Sequence, residues 1–339
     1  MEEAPLVDMQ PDDTGKLESG VQPSGFTRSK FSWRKAFTRY WVLIALLTYV
    51  VGLGSGYGLW GRQLGEMKSV HTEAANEQNE IASLAEQINP EAGYTLPAVY
   101  GDFGPKLVAA GAIDLDSFAK IYQERGQLLT DEQLAILKQG SSEPVVITRE
   151  NQGFLLNLFW ALGLANQNKI LTEGPMMQNG KDQAMRFAST GGWTIAAKPV
   201  KDIFASQPLV SLTDEQQKRL EEVARGVYRP CCDNPTHFPD CNHGMAMLGL
   251  LELMASQDAK VDQMFEAAKY INGFWFPEQS LELAILMKTM KNQDFDQADA
   301  RTIVGQGLSS GSGFQAAHQW LVQNGKLEQV PESGGSCGV

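Results

Sequence analysis

Residues 40–61 contain no charged side chain, and this stretch limits what the chain can fold into more than any other feature. About 22 uncharged residues form a helix long enough to cross a hydrocarbon layer of roughly 30 Å. The chain is therefore expected to divide into a part before the membrane, a span and a part beyond it. Trp41 and Trp60 stand at the two ends of the stretch, where amphipathic rings favour the interface. Arg28, Lys30, Arg34, Lys35 and Arg39 precede it with no acidic residue among them. By the positive-inside rule the N-terminus is then cytoplasmic, and the C-terminal domain is periplasmic or extracellular. The segment before the span is long for a signal peptide and no small-x-small cleavage site follows before Gly61, so the span reads as an uncleaved signal-anchor.

Within the span, Gly52 with Gly56 and Gly54 with Gly58 form overlapping GxxxG patterns, a face through which two such helices can approach closely. Residues 1–39 read as a disordered cytoplasmic tail with a basic juxtamembrane end, because its first part is acidic and rich in Pro, Gly and Ser. Residues 62–93 read as a helical stalk or linker. Met67, Val70, Ala74, Ile81, Leu84 and Ile88 make a short apolar stripe over 64–88, suited either to a self-associating coiled coil or to an amphipathic helix packed on the domain. Asn89, Pro90 and Gly93 end it.

Residues 94–329 are expected to form a multi-helix globular domain, followed by a flexible tail over 330–339 that carries Cys337. The fold class is mainly α. The string LTDEQ occurs twice, with Thr130 and Gln133 in one copy and Thr213 and Gln216 in the other, and each copy reads as a capping box that starts a helix. Further helices are expected over 103–112, 115–124, 149–165, 182–188, 200–205, 245–255, 261–271, 278–290, 295–304 and 314–323. The one strand candidate is 144–148. Aromatic clusters NLFW at 157–160 and NGFW at 272–275 read as core, with pocket lining as the alternative. The segment STGGW at 189–193 reads as a structural turn or a pocket-lining loop, and it lacks the lysine of a phosphate loop. A net charge of −12 with no clustered basic surface beyond the juxtamembrane stretch argues against nucleic acid as a partner.

Soft-ligand chemistry concentrates in residues 228–249, YRPCCDNPTHFPDCNHGMAMLG. Three of the four cysteines, Cys231, Cys232 and Cys241, and two of the four histidines, His237 and His243, lie in it. Pro230, Pro235 and Pro239 exclude regular helix before Cys241, so the segment is a turn-rich loop that leads into a helix. Thiolates and imidazoles are the ligands that zinc, copper and iron accept. The expected site is Cys231, Cys232, Cys241 and His243, with His237 as a substitute, and zinc in a structural role is the first expectation, copper or iron the others. His71 and His318, with no cysteine near them in sequence, read as ordinary residues. No HExxH, GxSxG or CxxCH motif is present, and no catalytic residue is assigned. Two rival readings remain. One is an envelope scaffold stapled by disulfides, the other a membrane-tethered thiol redox protein built on Cys231 and Cys232.

Overall fold

A computed structural model describes residues 33–327. The side chains of 33–39, 65, 67–74 and 77 lie outside that description, as do the acidic tail and Cys337. Among the described residues the protein is mainly helical, with sixteen α-helices, one 3-10 turn and two strands. Two compact units are distinguished, 1–72 and 73–339.

The first unit contributes most of helix α1 (Trp33–Ile88), which no proline interrupts. Its segment Tyr40–Leu64 is 25 residues long and long and apolar enough to cross a membrane. Leu43, Leu47, Tyr57 and Leu59 are all exposed, as are Trp41 and Trp60. The hydroxyls of Thr48 and Ser55 donate to the carbonyls of Ile44 and Val51 one turn back, so these two hydroxyls are satisfied within their own helix. No atom comes within 4 Å of where a Cβ would stand on Gly52, Gly54, Gly56 or Gly58.

The second unit begins with the last turns of α1. Ile81 is exposed but Leu84 and Ile88 are buried with Ala284, Met287, Phe295, Ala298 and Ile303. The apolar stripe thus ends as a helix packed on its own domain. Met67, Val70 and Ala74 fall among the side chains that are not described.

A two-stranded antiparallel sheet follows, β1 (Tyr94–Gly101) with β2 (Ser141–Ile147). The expected strand at 144–148 overlaps β2 over 144–147, and β1 forms where no strand is expected, with Pro97 in its middle removing a ladder donor. The alternation was nonetheless there, since Leu96, Ala98 and Tyr100 point inward while Thr95 and Val99 face out. The register is irregular near Val99, where the Gln257 side chain both donates to the Val99 carbonyl and accepts from its N–H. Between the strands run α2 (Phe103–Ala110), α3 (Leu115–Glu124) and α4 (Asp131–Gln139).

Helix α5 (Gln152–Ala165) has no charged residue and is buried on nearly every side. Four one-turn helices, α6 (Lys169–Thr172), α7 (Lys181–Ala184), α8 (Ala188–Gly191) and α9 (Val200–Ile203), connect it to α10 (Asp214–Gly226). The single helix expected over 182–188 is therefore two pieces, separated where Phe187 is extended. Both LTDEQ copies form complete capping boxes, at the starts of α4 and α10. Helices α11 (Asn242–Ser256), α12 (Val261–Trp275) and α13 (Pro277–Lys291) come next. They are followed by α14 (Ala300–Ile303), α15 (Gln306–Ser309) and α16 (Gly311–Gln323). The helix expected over 295–304 shrinks to α14 because the Asp299 carboxylate caps at Thr302.

The core is centred on α5 against α11, which touch backbone to backbone at two glycines. A Cβ on Gly163 would stand 2.1 Å from the Met245 carbonyl oxygen, and one on Gly249 would stand 2.2 Å from that of Phe159. This close crossing fixes the first turn of α11 in the domain, and with it the cysteine that precedes it.

Candidate metal centre

Residues 228–241 are held at both ends by backbone bonds to distant elements. The Tyr228 N–H donates to the Val304 carbonyl at 2.7 Å, and the Ser189 N–H donates to the Asp240 carbonyl at 3.0 Å. Inside the loop, the buried Thr236 donates its N–H and its hydroxyl to the Val227 carbonyl. The Gly311 N–H donates to the Cys232 carbonyl and the Ser312 N–H to the Asp233 carboxylate, which ties the loop to the start of α16.

This scaffold brings together Cys231, Cys232 and Cys241, whose sulfurs all lie within 4.8 Å of one another, a group that can hold a metal ion. Sγ of Cys231 and Sγ of Cys241 are 3.6 Å apart. Two thiolates on a tetrahedral zinc at about 2.3 Å from each sulfur stand about 3.8 Å apart, so the spacing fits chelation and far exceeds a disulfide bond of about 2.05 Å. All three are half-buried.

Cys241 is the N-cap of α11, in extended backbone, and its sulfur accepts the Gly244 N–H at 3.4 Å. Beneath it lies Arg229, only 1% exposed. Its guanidinium donates from Nε to Cys241 Sγ at 3.2 Å, from Nη1 to the Asn234 carbonyl at 3.0 Å and from Nη2 to Asp240 Oδ1 at 3.3 Å. Asp240 is held in turn by Asn234 Nδ2 at 2.8 Å. Gly244 lets α11 settle onto this guanidinium, since a Cβ there would come within 2.4 Å of Nη2.

The electrostatics single out one sulfur. Hydrogen bonds from the Cys231 and Cys232 thiols, then the Arg229 charge and its N–H, hold Cys241 well below the ordinary thiol range despite its burial. Cys231 is pushed up by its thiol contacts to Cys232 and Cys241 and by burial. At Cys232 the contact with Cys231 lowers the pKa, but the contact with Cys241 and burial outweigh it and the net direction is upward. The centre in this form is one thiolate fed by two thiols and a guanidinium.

The structure places the two histidines elsewhere. His243 is at the second position of α11, and the helical turn after Cys241 carries its ring away from the sulfurs, against Trp275 and Phe276 with centroids 5.8 and 4.6 Å distant. There burial pushes its pKa down to about 4, and Nδ1 is buried with no partner among the described residues. His237 donates its N–H to the Ala224 carbonyl, and its imidazole pKa is lowered by burial and by Arg225. Neither belongs to the group of three, so the expected fourth ligand is not among the described His, Cys, Asp and Glu side chains gathered there. His318 pairs with Glu282 at 2.7 Å, on α16 and α13. Arg229 is the residue that ligand-counting missed. Its signal was a lone basic residue two positions before adjacent cysteines and twelve before the third.

Comparison of the chain with protein-family models, with curated proteins and with solved structures finds no match.

Proposed function

We propose that this is a membrane-anchored protein whose helical domain holds one zinc ion on Cys231, Cys232 and Cys241. The observation that carries the reading is the three-sulfur group within 4.8 Å, sitting on a buried guanidinium. Three thiolates and a divalent ion leave one negative charge, and Arg229 offsets it while fixing Cys241 through an N–H to sulfur bond, as outer-shell donors do at metal centres. With three protein ligands the fourth tetrahedral position belongs to water or to a bound molecule, which is the form of a reactive zinc site rather than a closed structural one. Copper(I) suits the same soft donors in trigonal geometry and is the second metal to test; iron is the third. The Tyr40–Leu64 helix is long and apolar enough to serve as the anchor, and the basic residues before it support a domain on the far side of the membrane.

A second reading is favoured by the 3.6 Å between Cys231 and Cys241. With Cys241 as thiolate and Cys231 as thiol, loss of two electrons and one proton to a thiol oxidant of the compartment would close those sulfurs into a disulfide.

One experiment separates the two. Full-length protein, purified without oxygen or added metal and freed of reductant, is analysed for bound metal and for reactive thiols. About one equivalent of zinc is expected, lost in Cys232→Ser and in Cys241→Ser and retained in His243→Phe. Absence of metal together with a Cys231–Cys241 bridge in the peptide map would establish the disulfide form instead. For the anchor, alkaline phosphatase fused after residue 327 should be active only if the domain lies outside the cytoplasm, and an inactive fusion that is expressed would reverse the orientation.

A further inference from the structure

Cys241 has a second neighbourhood. With Asn242 it borders a cleft of about 360 Å³ whose other walls include Asn157, Trp160, Trp193 and Ala188. The volume lies in the range that small-molecule sites occupy. Its two indoles are locked in place, Trp160 Nε1 donating to the Ser189 carbonyl at 2.7 Å and Trp193 Nε1 to the Ala112 carbonyl at 2.8 Å. The rings meet edge to face with centroids 4.9 Å apart, so the apolar wall is rigid.

The polar part of the lining is Asn157, Asn242, Thr194 and Arg125, and the two asparagines carry the argument. Asn157 is 4% exposed and Asn242 is 7% exposed. The orientation of each amide follows from its partner. The Tyr122 hydroxyl donates to the Gly153 carbonyl at 3.1 Å, so it accepts from Asn157, and the amide group facing it at 2.9 Å is the NH2. That leaves Asn157 Oδ1 as an acceptor with no hydrogen bond among the described residues. At Asn242 the oxygen accepts the His243 N–H at 2.9 Å, which leaves the NH2 as a donor with no partner among the described residues. Two side chains more than nine-tenths buried thus border one cleft with an unused acceptor and an unused donor. Neither atom is among the fully buried unpaired ones, so each stays open to what enters the cleft.

We propose that this cleft binds a small planar molecule, apolar over its body and ending in a paired donor and acceptor, of which a primary carboxamide is the simplest example. The carboxamide NH2 donates to Asn157 Oδ1 and its oxygen accepts from Asn242, while the body lies on the Trp160 and Trp193 wall. The ligand then ends beside Cys241, and where the three-thiolate zinc reading holds it lies next to one of the ion's ligands. That last link rests on the metal reading, and the cleft itself does not.

Benzamide, benzoate and toluene are the probes, titrated calorimetrically into the full-length protein. Benzamide is expected to bind saturably with a Kd of about 1 mM or tighter. Toluene, which offers neither group, should bind roughly tenfold more weakly or worse, whereas benzoate binding more tightly than benzamide would assign the cleft to the Arg125 in its lining and overturn the carboxamide proposal. Ala188→Trp, which fills the cleft from its exposed rim, should abolish benzamide binding, and Asn157→Leu should weaken it by roughly tenfold. No saturable benzamide binding to the wild type, or binding indifferent to both substitutions, would overturn the proposal. The same titrations on cobalt(II)-loaded protein address the metal separately. Movement of the visible cobalt bands at saturation is expected, and bound benzamide with unmoved bands would sever the cleft from the centre. Failure to take up any cobalt would defeat the zinc reading while the calorimetry still decides the cleft.

Discussion

Arg229 and Glu252 are both buried beside α11, and the protein treats them in opposite ways. At the helix's first turn, Arg229 is met by a sulfur, a carbonyl and a carboxylate. Burial alone would lower its pKa, but the nearby sulfurs, Cys241 foremost, more than reverse this and it stays charged. Three turns on, Glu252 is fully buried and among the described residues receives one hydrogen bond, from Asn166 Nδ2 at 3.1 Å, while Oε1 has no partner among them. Burial raises its pKa well above the ordinary carboxylate value, with only Asn166 opposing, which favours the neutral acid. A buried charge survives where opposite charge and hydrogen bonds surround it, and is given up where a helix merely passes through apolar packing. The first turn of α11 is thus built to hold charge, and its middle is not.

The sharpest way to break this comparison is Arg229→Met. The methionine fills similar space but leaves Asp240, the Asn234 carbonyl and Cys241 without their donor. Removing one partner of a buried pair costs about 3–5 kcal/mol, and urea unfolding followed by tryptophan fluorescence should show a loss of that size. Arg229→Lys keeps the charge but not the planar fork that serves three acceptors, so it should fall between the wild type and the methionine variant. A methionine variant as stable as the wild type would mean that the guanidinium does not organise the loop.

What could be read from the sequence divides along the same lines. Local signals were legible: the two LTDEQ capping boxes, the helix over 149–165 that contains α5, and the proline-rich loop that draws three cysteines to the start of a helix. Signals that depend on side-chain direction were not. His243 has the right chemistry two residues from Cys241, but the first helical turn carries it toward Trp275. Arg229 lies next to the cysteines in sequence, yet its role depends on Gly244 making room for it from the far side of the loop. The cleft needed still longer range. NLFW reads as core and STGGW as a turn when each is taken alone. Only the packing of α5 and α8 around the start of α11 puts Asn157, Trp160 and Trp193 on one wall. Glu252 is a single acid in an apolar helix, and nothing adjacent in sequence shows that its partner comes from Asn166.

Glu252→Gln sharpens the comparison from its other side, with a smaller effect and a distinctive pH dependence. The folded-state pKa is raised above its unfolded value of 4.5. As pH climbs past that value the unfolded chain ionises Glu252 while the folded chain does not, and the equilibrium is drawn toward unfolding until the folded pKa is reached. Glutamine has no proton to lose, so the variant escapes this drift. Below pH 4.5 the two proteins should have similar stability, because both then carry a neutral side chain of the same shape. Above it the glutamine form should gain progressively, on the order of 1 kcal/mol or more, and thermal melts would register about 2–4 °C for each kcal/mol in a domain of this size. A gain that is constant across pH would point to better hydrogen bonding by the amide rather than to relief of an ionisation. A loss that grows with pH would show Glu252 to be charged in the fold, and the contrast with Arg229 would disappear.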